Sequence, residues 1–331
     1  MSIVVALIIF LLVVLFHEAG HFTVAKKVGI RVNEFSVGMG PSLWHRQKGE
    51  TLYSLRAIPL GGYCAMEGED DESEDPRSFD RAKPGKRFLT ILAGPVMNLL
   101  IAYVCLALFL GIRGVPQPVV EAFTDNSALQ EAGLQEGDRI LAIDGQTTVS
   151  AQAIRDAVQK SEGKALELRY QRQGQEDKTV SVTPKKQGDQ YLLGFQFAQT
   201  KDFLSVVTAA FTTGLTLLGQ LFQIIFRLLT GGLPLDAVSG PIGVVTVIGK
   251  AAKKGVTDLI FLTGYISLNL AFFNLLPIPG LDGSKLLFIV IEKLRGKPMK
   301  KSTEEKITLA GMVFLLGLIA IVSVKDVLRL F

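Results

Sequence analysis

Leu15-Phe16-His17-Glu18-Ala19-Gly20-His21 closes an apolar run that begins at Ile3. His-Glu-x-x-His spacing on a helix sets two imidazoles at i and i+4. They share one face and can reach a single metal ion, with a carboxylate beside them to handle protons. Counted with the motif, the helix is long enough to enter a bilayer, where two histidines and a glutamate are costly unless they serve a function. The plain alternative is a signal-anchor helix with interfacial histidines and Glu18 paired to Lys26 or Lys27. Two of the chain's three histidines fall in this one motif, which favours a metal-dependent hydrolytic site at membrane depth.

The composition suits that setting. Of 331 residues, 48% are hydrophobic, and the mean hydropathy is +0.36. The apolar residues gather into the runs Ile3–Phe16, Phe88–Ile112, Leu204–Phe226, Leu259–Leu281 and Ile307–Val324. Runs of about 18 residues or more can cross the hydrocarbon core. The first run is expected to be a retained helix rather than a cleaved signal peptide. No basic residue precedes it, Lys26-Lys27 follow it, and no small-x-small cleavage site is evident. Cys64 and Cys105 are too few for a disulfide framework. Basic residues flank the apolar runs instead of forming a stripe among aromatics, which argues against a nucleic acid partner.

Between the first two runs, Arg31–Ser36 and Thr51–Ile58 have strand character, and Gly38-Met39-Gly40-Pro41 and Gly61-Gly62 read as turns. Glu67–Asp75, with seven acids in nine positions, reads as a solvated loop. The second run contains Ala93-Gly94-Pro95-Val96-Met97-Asn98, in which Gly-Pro breaks the backbone ladder and Asn98 brings an amide among apolar residues. Small-residue helix packing is the competing use of this segment.

Val115–Thr200 is polar. Pro118–Ala122, Arg139–Ile143, Ala165–Gln171 and Lys178–Thr183 read as strands, and Ala151–Gln159 as a helix. The stretch from Gly133 to Gly145, with a strand between Gly137-Asp138 and Asp144-Gly145, resembles the PDZ signature. That resemblance implies either capture of an extended peptide at a sheet edge or steric restriction of access.

Catalytic zinc sites use three protein ligands and leave one position for water. The outstanding third candidate lies in Asn274-Leu275-Leu276-Pro277-Ile278-Pro279-Gly280-Leu281-Asp282-Gly283. Prolines and glycines there free backbone groups at membrane depth, tolerable only where protein or a wet cavity satisfies them. Asp282 is then an intramembrane carboxylate that needs a metal or a partner, Lys285 being the alternative partner.

Taken together, these residues resemble the site-2 protease family of intramembrane zinc metalloproteases. The Gly-Pro-x-x-Asn segment and Ser239-Gly240-Pro241-Ile242-Gly243 are similar to further segments of its bacterial branch, here with a single PDZ domain. The resemblance implies Zn²⁺ on His17, His21 and Asp282, with Glu18 as general base. It implies a hairpin dipping into the membrane beside the metal, and Asn98 and Asn274 hydrogen-bonding an unwound substrate backbone. The implied activity is cleavage of transmembrane segments, of the kind that removes anti-sigma factors or remnant signal peptides. Transmembrane proteins or peptides and the lipid bilayer are the expected partners, with a peptide ligand for the PDZ domain.

Basic residues mark cytoplasmic loops. Lys26, Lys27, Arg31, Lys83, Lys86 and Arg87 flank the first loop, and Lys293, Arg295, Lys297, Lys300, Lys301 and Lys306 crowd the last. A span at Leu204–Phe226 would put those loops on opposite sides. Its polar residues recur at threes and fours, so it is expected as an amphipathic helix lying on or dipping into the outer surface. The expected fold is an α-helical polytopic membrane protein of four transmembrane helices with a membrane-associated β-hairpin and an inserted extracytoplasmic PDZ (α+β) domain. Its segments are 1–114 (two helices, zinc motif, hairpin and acidic loop), 115–200 (PDZ), 201–256 (interfacial helix and Ser-Gly-Pro segment) and 257–331 (last two helices), in a bacterial cytoplasmic membrane. Two rivals are a non-catalytic PDZ adaptor with a structural metal and a metal transporter. Glu18 beside the ligands speaks against the first. The lack of further ligands along an ion path speaks against the second, His45 being the only other histidine.

Overall fold

A computed structural model of the chain describes residues 2–69, 71–148, 150–232 and 240–328. It divides into two compact units, 1–109 with 210–331, and 110–209. The first helix, α1 (Ser2–Val28), is apolar up to the histidine motif. It ends at Gly29, whose φ of +86° supplies the left-handed residue a helix terminus favours. Lys26 and Lys27 in its last turn suit the negative end of the helix dipole.

Strands β1 (Val32–Lys48) and β2 (Thr51–Met66) follow as one long antiparallel ribbon. It is longer than the sequence suggests, and the glycines read there as turns lie inside the strands. Gly38, Gly40 and Gly61 take φ of +85°, +81° and +81° at positions where the register shifts. A positive-φ glycine builds a bulge as readily as a turn. The register pairs Val37 with both Gly62 and Leu55, so the ribbon folds back on itself. Met39, Leu43, Trp44, Leu55 and Ile58 leave its far end apolar and exposed. Helix α2 (Pro84–Arg113) opens on a proline, where the missing N–H costs nothing, and holds Pro95 in its interior.

The second unit is built on an antiparallel sheet. Its elements are β3 (Val115–Phe123), α3 (Ala128–Glu131), β4 (Arg139–Ile143), β5 (Gln146–Thr147), α4 (Ala151–Lys160), β6 (Leu166–Gln171), β7 (Lys178–Val182), β8 (Lys185–Gln187), β9 (Gln190–Leu192) and β10 (Phe195–Thr200). The main sheet runs β10-β3-β4-β6-β7, with β5 on β4. Leu129, Ile140, Ile143, Ile154 and Leu168 form its buried core. Burial works to raise the pKa of Asp138, but two hydrogen bonds from Arg172 and one from the Gln135 N–H outweigh it and hold the carboxyl below its usual range.

Helix α5 (Phe203–Leu229) leads to α6 (Pro241–Lys254), α7 (Val256–Leu275), α8 (Asp282–Arg295) and α9 (Lys301–Leu328). Among the described residues, five helices are long and apolar enough to cross a membrane: α1, α2, α5, α7 and α9. Helix α7 begins where α2 ends and runs back along it. Phe261 meets Phe109 with ring centroids 5.0 Å apart, and Ser267 Oγ donates to the Asn98 carbonyl at 2.9 Å.

Helix α5 runs beside those two helices. Phe211 packs on Tyr103 and Phe222 on Phe272, with centroids 6.0 and 4.7 Å apart. Two threonines of its polar stripe are satisfied within the helix. Thr208 and Thr216 donate their hydroxyls to the carbonyls of Leu204 and Thr212, four residues back, at 2.8 and 2.9 Å.

The depressed pKa of Asp138 gives a testable pH dependence. Its stabilisation is complete above the unfolded carboxyl value of about 3.9 and is lost as pH falls through the lower folded value. Arg172→Met in the full chain should remove that dependence. It should also cut hydrogen-exchange protection of β4 and β6 at neutral pH about tenfold, because a buried carboxylate is left unpaired. Unchanged protection would contradict it.

Candidate metal centre

Along α1 the i, i+4 spacing brings both imidazoles to one face, and both are buried. Their Nε2 atoms lie 3.2 Å apart. Asp282 Oδ2 stands 3.0 Å from His17 Nε2 and 3.4 Å from His21 Nε2. Among the described residues this is the group of His, Cys, Asp and Glu side chains able to hold a metal ion. Glu18 lies beside strand β2. A Cβ built on Gly62 would stand 3.9 Å from Glu18 Cγ, ordinary contact distance, whereas it would fall 2.5 Å from the Ser36 carbonyl oxygen, so the glycine serves the close approach of the two strands here.

Helix α2 closes the other side with one face. Thr90, Gly94 and Asn98 recur at i, i+4 and i+8, antiparallel to His21 and His17. His21 Nδ1 donates to the Thr90 carbonyl at 2.9 Å, which turns Nε2 toward Asp282. Gly94 fills the middle, where a Cβ would come within 2.3 Å of His21 Nε2 and 2.9 Å of His17 Cε1. A Cβ on Gly20 would fall 2.3 Å from the Ala93 carbonyl oxygen. The asparagine expected to meet substrate, Asn98, is fully buried, with Nδ2 3.2 Å from His17 Nδ1.

The segment between α7 and α8 carries the other half of the site. Asn274 Nδ2 approaches His17 Nε2 to 3.4 Å. Pro277 and Pro279 break the helix, and the loop's amides are met locally: Ile278 N–H by Leu276 O and Leu281 N–H by Ile278 O. Gly283 is obligatory, since a Cβ there would fall 2.1 Å from the Leu276 carbonyl oxygen. Asp282 opens α8, where a carboxylate suits the positive helix end.

The ion pairs considered as alternatives do not form. Lys285 meets Glu69 of the acidic segment at 2.7 Å, not Asp282, and Lys26 meets Glu50 at 2.9 Å, not Glu18. A second pair, Arg87 with Glu292, ties α2 to α8. The acidic stretch is thus not merely solvated: Glu67 and Asp75 also take bonds from Asn33 and Arg31. Thr90, Gly94, Gly62 and the Glu69–Lys285 pair went unmarked as parts of the site in the sequence. Of the Ser-Gly-Pro segment, Ser239 lies outside the described residues. Gly240 caps α6, and the Gly243 N–H donates to Asp326 at 2.8 Å.

The donor set fits zinc. A tetrahedral ion about 2.0–2.1 Å from each ligand separates its donor atoms by about 3.3 Å, and the spacings here are 3.2, 3.0 and 3.4 Å. Asp282 Oδ2 is buried without a hydrogen-bond donor, as an atom reserved for a cation would be. Three ligands rather than four, with a free carboxylate alongside, make the catalytic form of such a site.

In the second unit, a groove of about 910 Å³ lies between α4 and β10, lined by Ile154, Val158, Leu193, Phe195 and Phe197 among others. Strand β10 ends the sheet path.

Fold and donor set define a membrane-helix metallopeptidase of the site-2 protease type, dependent on zinc. The peptidase family M50 profile matches residues 5–318, and the chain belongs to that family. It is 35% identical to CPE1693 of Clostridium perfringens, over 99% of both chains. It is 30% identical to the regulator of sigma-W protease RasP of Bacillus subtilis, over 100% of this chain and 99% of the relative. The zinc metalloprotease RasP of Bacillus licheniformis is likewise 30% identical, with the same coverage. Among solved structures, the PDZ domain of the SdrC-like protein Lmo2051 from Listeria monocytogenes aligns with 26% of this chain and 87% of its own. The identity is 20% and the TM-score 0.22. With its helices and these relatives, the chain is a multi-pass bacterial membrane protein.

Gly94→Ala should drive a methyl group into the histidines and weaken zinc retention at least about tenfold, the scale on which support of metal ligands acts. Elemental analysis after dialysis against a chelator checks this. Full zinc occupancy in a folded variant would contradict the cradle.

Proposed function

We propose that this protein hydrolyses peptide bonds within or near the transmembrane segments of single-span membrane proteins. Substrates of the anti-sigma factor or remnant signal peptide type suit a regulated intramembrane proteolysis. The observation that carries this reading is the depth of the donor cluster. His17, His21 and Asn98 lie well inside helices of membrane-spanning length, and Asn274 stands in the last turn of a third such helix, where its side chain reaches His17. That a relative carries the name regulator of sigma-W protease RasP supports the substrate type.

In this reading His17, His21 and Asp282 hold zinc. The bound ion supplies Lewis acidity, which polarises a carbonyl and makes water nucleophilic at neutral pH. Glu18, half-buried beside the ligands, takes the proton from the attacking water and delivers it to the leaving amine. A helical substrate hides its peptide bonds in its own hydrogen bonds, so it must unwind before cleavage. The β2 segment passing Glu18 at Gly62 offers strand-like backbone to hold the extended form. Asn274, beside His17 Nε2, is placed to bond that backbone.

Residues 115–200 act as a PDZ domain, taking extended peptide along β10 or excluding bulky partners. The basic loops face the cytoplasm and this domain the other side of a bacterial inner membrane. The pairs Lys285–Glu69 and Arg87–Glu292 support this by joining both basic loops at one end of the bundle. Four full spans, with α5 dipping beside them, satisfy the basic-loop rule.

Glu18→Gln should keep one zinc per chain and lower cleavage of a single-span reporter helix in proteoliposomes about 10³-fold or more. Retained turnover would remove Glu18 as base, and equal cleavage of a soluble peptide and the membrane helix by the parent protein would remove the substrate class. For topology, cysteines introduced at Ser73 and Arg295 should be labelled from the same side. Labelling from opposite sides would overturn the arrangement.

A further inference from the structure

We propose that Asn98 is a positioning residue for His17. Its side-chain amide accepts the His17 Nδ1–H through oxygen and so aims Nε2 at the metal position. This replaces the substrate-binding role expected from the sequence, and it rests on His17 being a zinc ligand.

Three observations carry it. First, the Asn98 side chain is fully buried, closed in by α1 and by Ser267 on its own carbonyl, so a substrate strand has no route to it. Second, it meets the ring nitrogen of His17 that faces away from Asp282: Nδ1 lies 3.2 Å from the amide, while Nε2 lies 3.0 Å from Asp282. Third, the same face of α2 treats the other histidine alike, since Thr90 O receives His21 Nδ1–H. Thr90 and Asn98 stand eight residues apart with Gly94 between them, and each takes one imidazole from behind.

The direction of the hydrogen bond follows from chemistry. A neutral imidazole carries one N–H, and the nitrogen that binds metal must be the bare one. For His17 that leaves the proton on Nδ1, which then needs an acceptor. The amide nitrogen cannot accept. A half-turn about the terminal side-chain bond exchanges the amide's oxygen and nitrogen without moving any other group. Oδ1 is buried and unpartnered when the nitrogen faces His17. With oxygen toward the ring, Asn98 holds the tautomer that leaves Nε2 free, as metal-binding histidines are commonly held by an outer acceptor.

The test uses the full chain in detergent, loaded with zinc or with cobalt(II) as a spectroscopic probe. Asn98→Ala removes the acceptor and should weaken zinc retention 10- to 100-fold and shift the cobalt visible bands. Asn98→Asp keeps an oxygen acceptor and has no N–H. It should restore the bands, bring zinc retention to within about threefold of the parent, and raise turnover at least tenfold above the alanine variant.

The substrate-binding alternative predicts the reverse. Alanine would leave zinc and the bands alone and raise only KM, and aspartate would do no better. That result overturns the proposal. His17→Ala separates the underlying reading, since zinc retained in that variant removes the ligand assignment itself. Should the alanine variant fail to fold, ¹⁵N NMR of histidine-labelled zinc-loaded parent decides. A His17 ring protonated at Nδ1 supports the proposal, and one protonated at Nε2 overturns it.

Discussion

Three electron-pair donors stand within 3.4 Å of one another inside an apolar helix bundle, an arrangement that a shared metal ion would satisfy. In water such groups would be solvated separately. Here burial removes that option, and an unmatched polar group costs about 2–7 kcal/mol. Much of the first unit can be understood as what brings these donors together and keeps water from competing for them.

Close backbone approach does the first part. Gly20 and Gly94 let α1 and α2 meet with no side chain between them, so the histidine rings lie against bare helix. On the other side the Pro-x-Pro-Gly break allows α7 to stop one residue past Asn274 and α8 to start at Asp282, two functional groups that an unbroken helix would carry apart along its axis. Gly311 of α9 seals this loop, since a Cβ there would fall 2.3 Å from Pro279. The Glu69–Lys285 and Arg87–Glu292 pairs then fix α8 to the first half of the chain. A packed cluster of Ala25, Ile30, Val32, Ile91, Leu286 and Ile289 lies alongside.

Local spacing made part of this legible. His17, Glu18 and His21 share a helix turn, and Asp282 sits in a break whose residues are adjacent, so their chemistry could be read without knowing the fold. The α2 face could not. Thr90, Gly94 and Asn98 are spaced as regularly as the histidines, but a helix does not announce which side meets its neighbour. In the sequence Lys285 stands near Asp282, while the carboxylate it meets, Glu69, lies 216 residues away. Gly38 and Gly40 read as turns because a bulge asks for the same backbone angle. The back-bonding of the α5 threonines Thr208 and Thr216 to carbonyls leaves no mark in composition. Strands β8 to β10 are short, and β10 pairs with β3 at the far end of its unit, a register no local pattern encodes.

Zinc K-edge absorption on the purified, zinc-loaded chain tests the central claim most directly. A shared ion predicts a first shell of two imidazole nitrogens and one or more oxygens near 2.0–2.1 Å, with the two-imidazole signal halved in His21→Ala and an oxygen altered in Asp282→Asn. A shell of sulfur, or one indifferent to both substitutions, would mean that α1 and α8 do not grip a common metal.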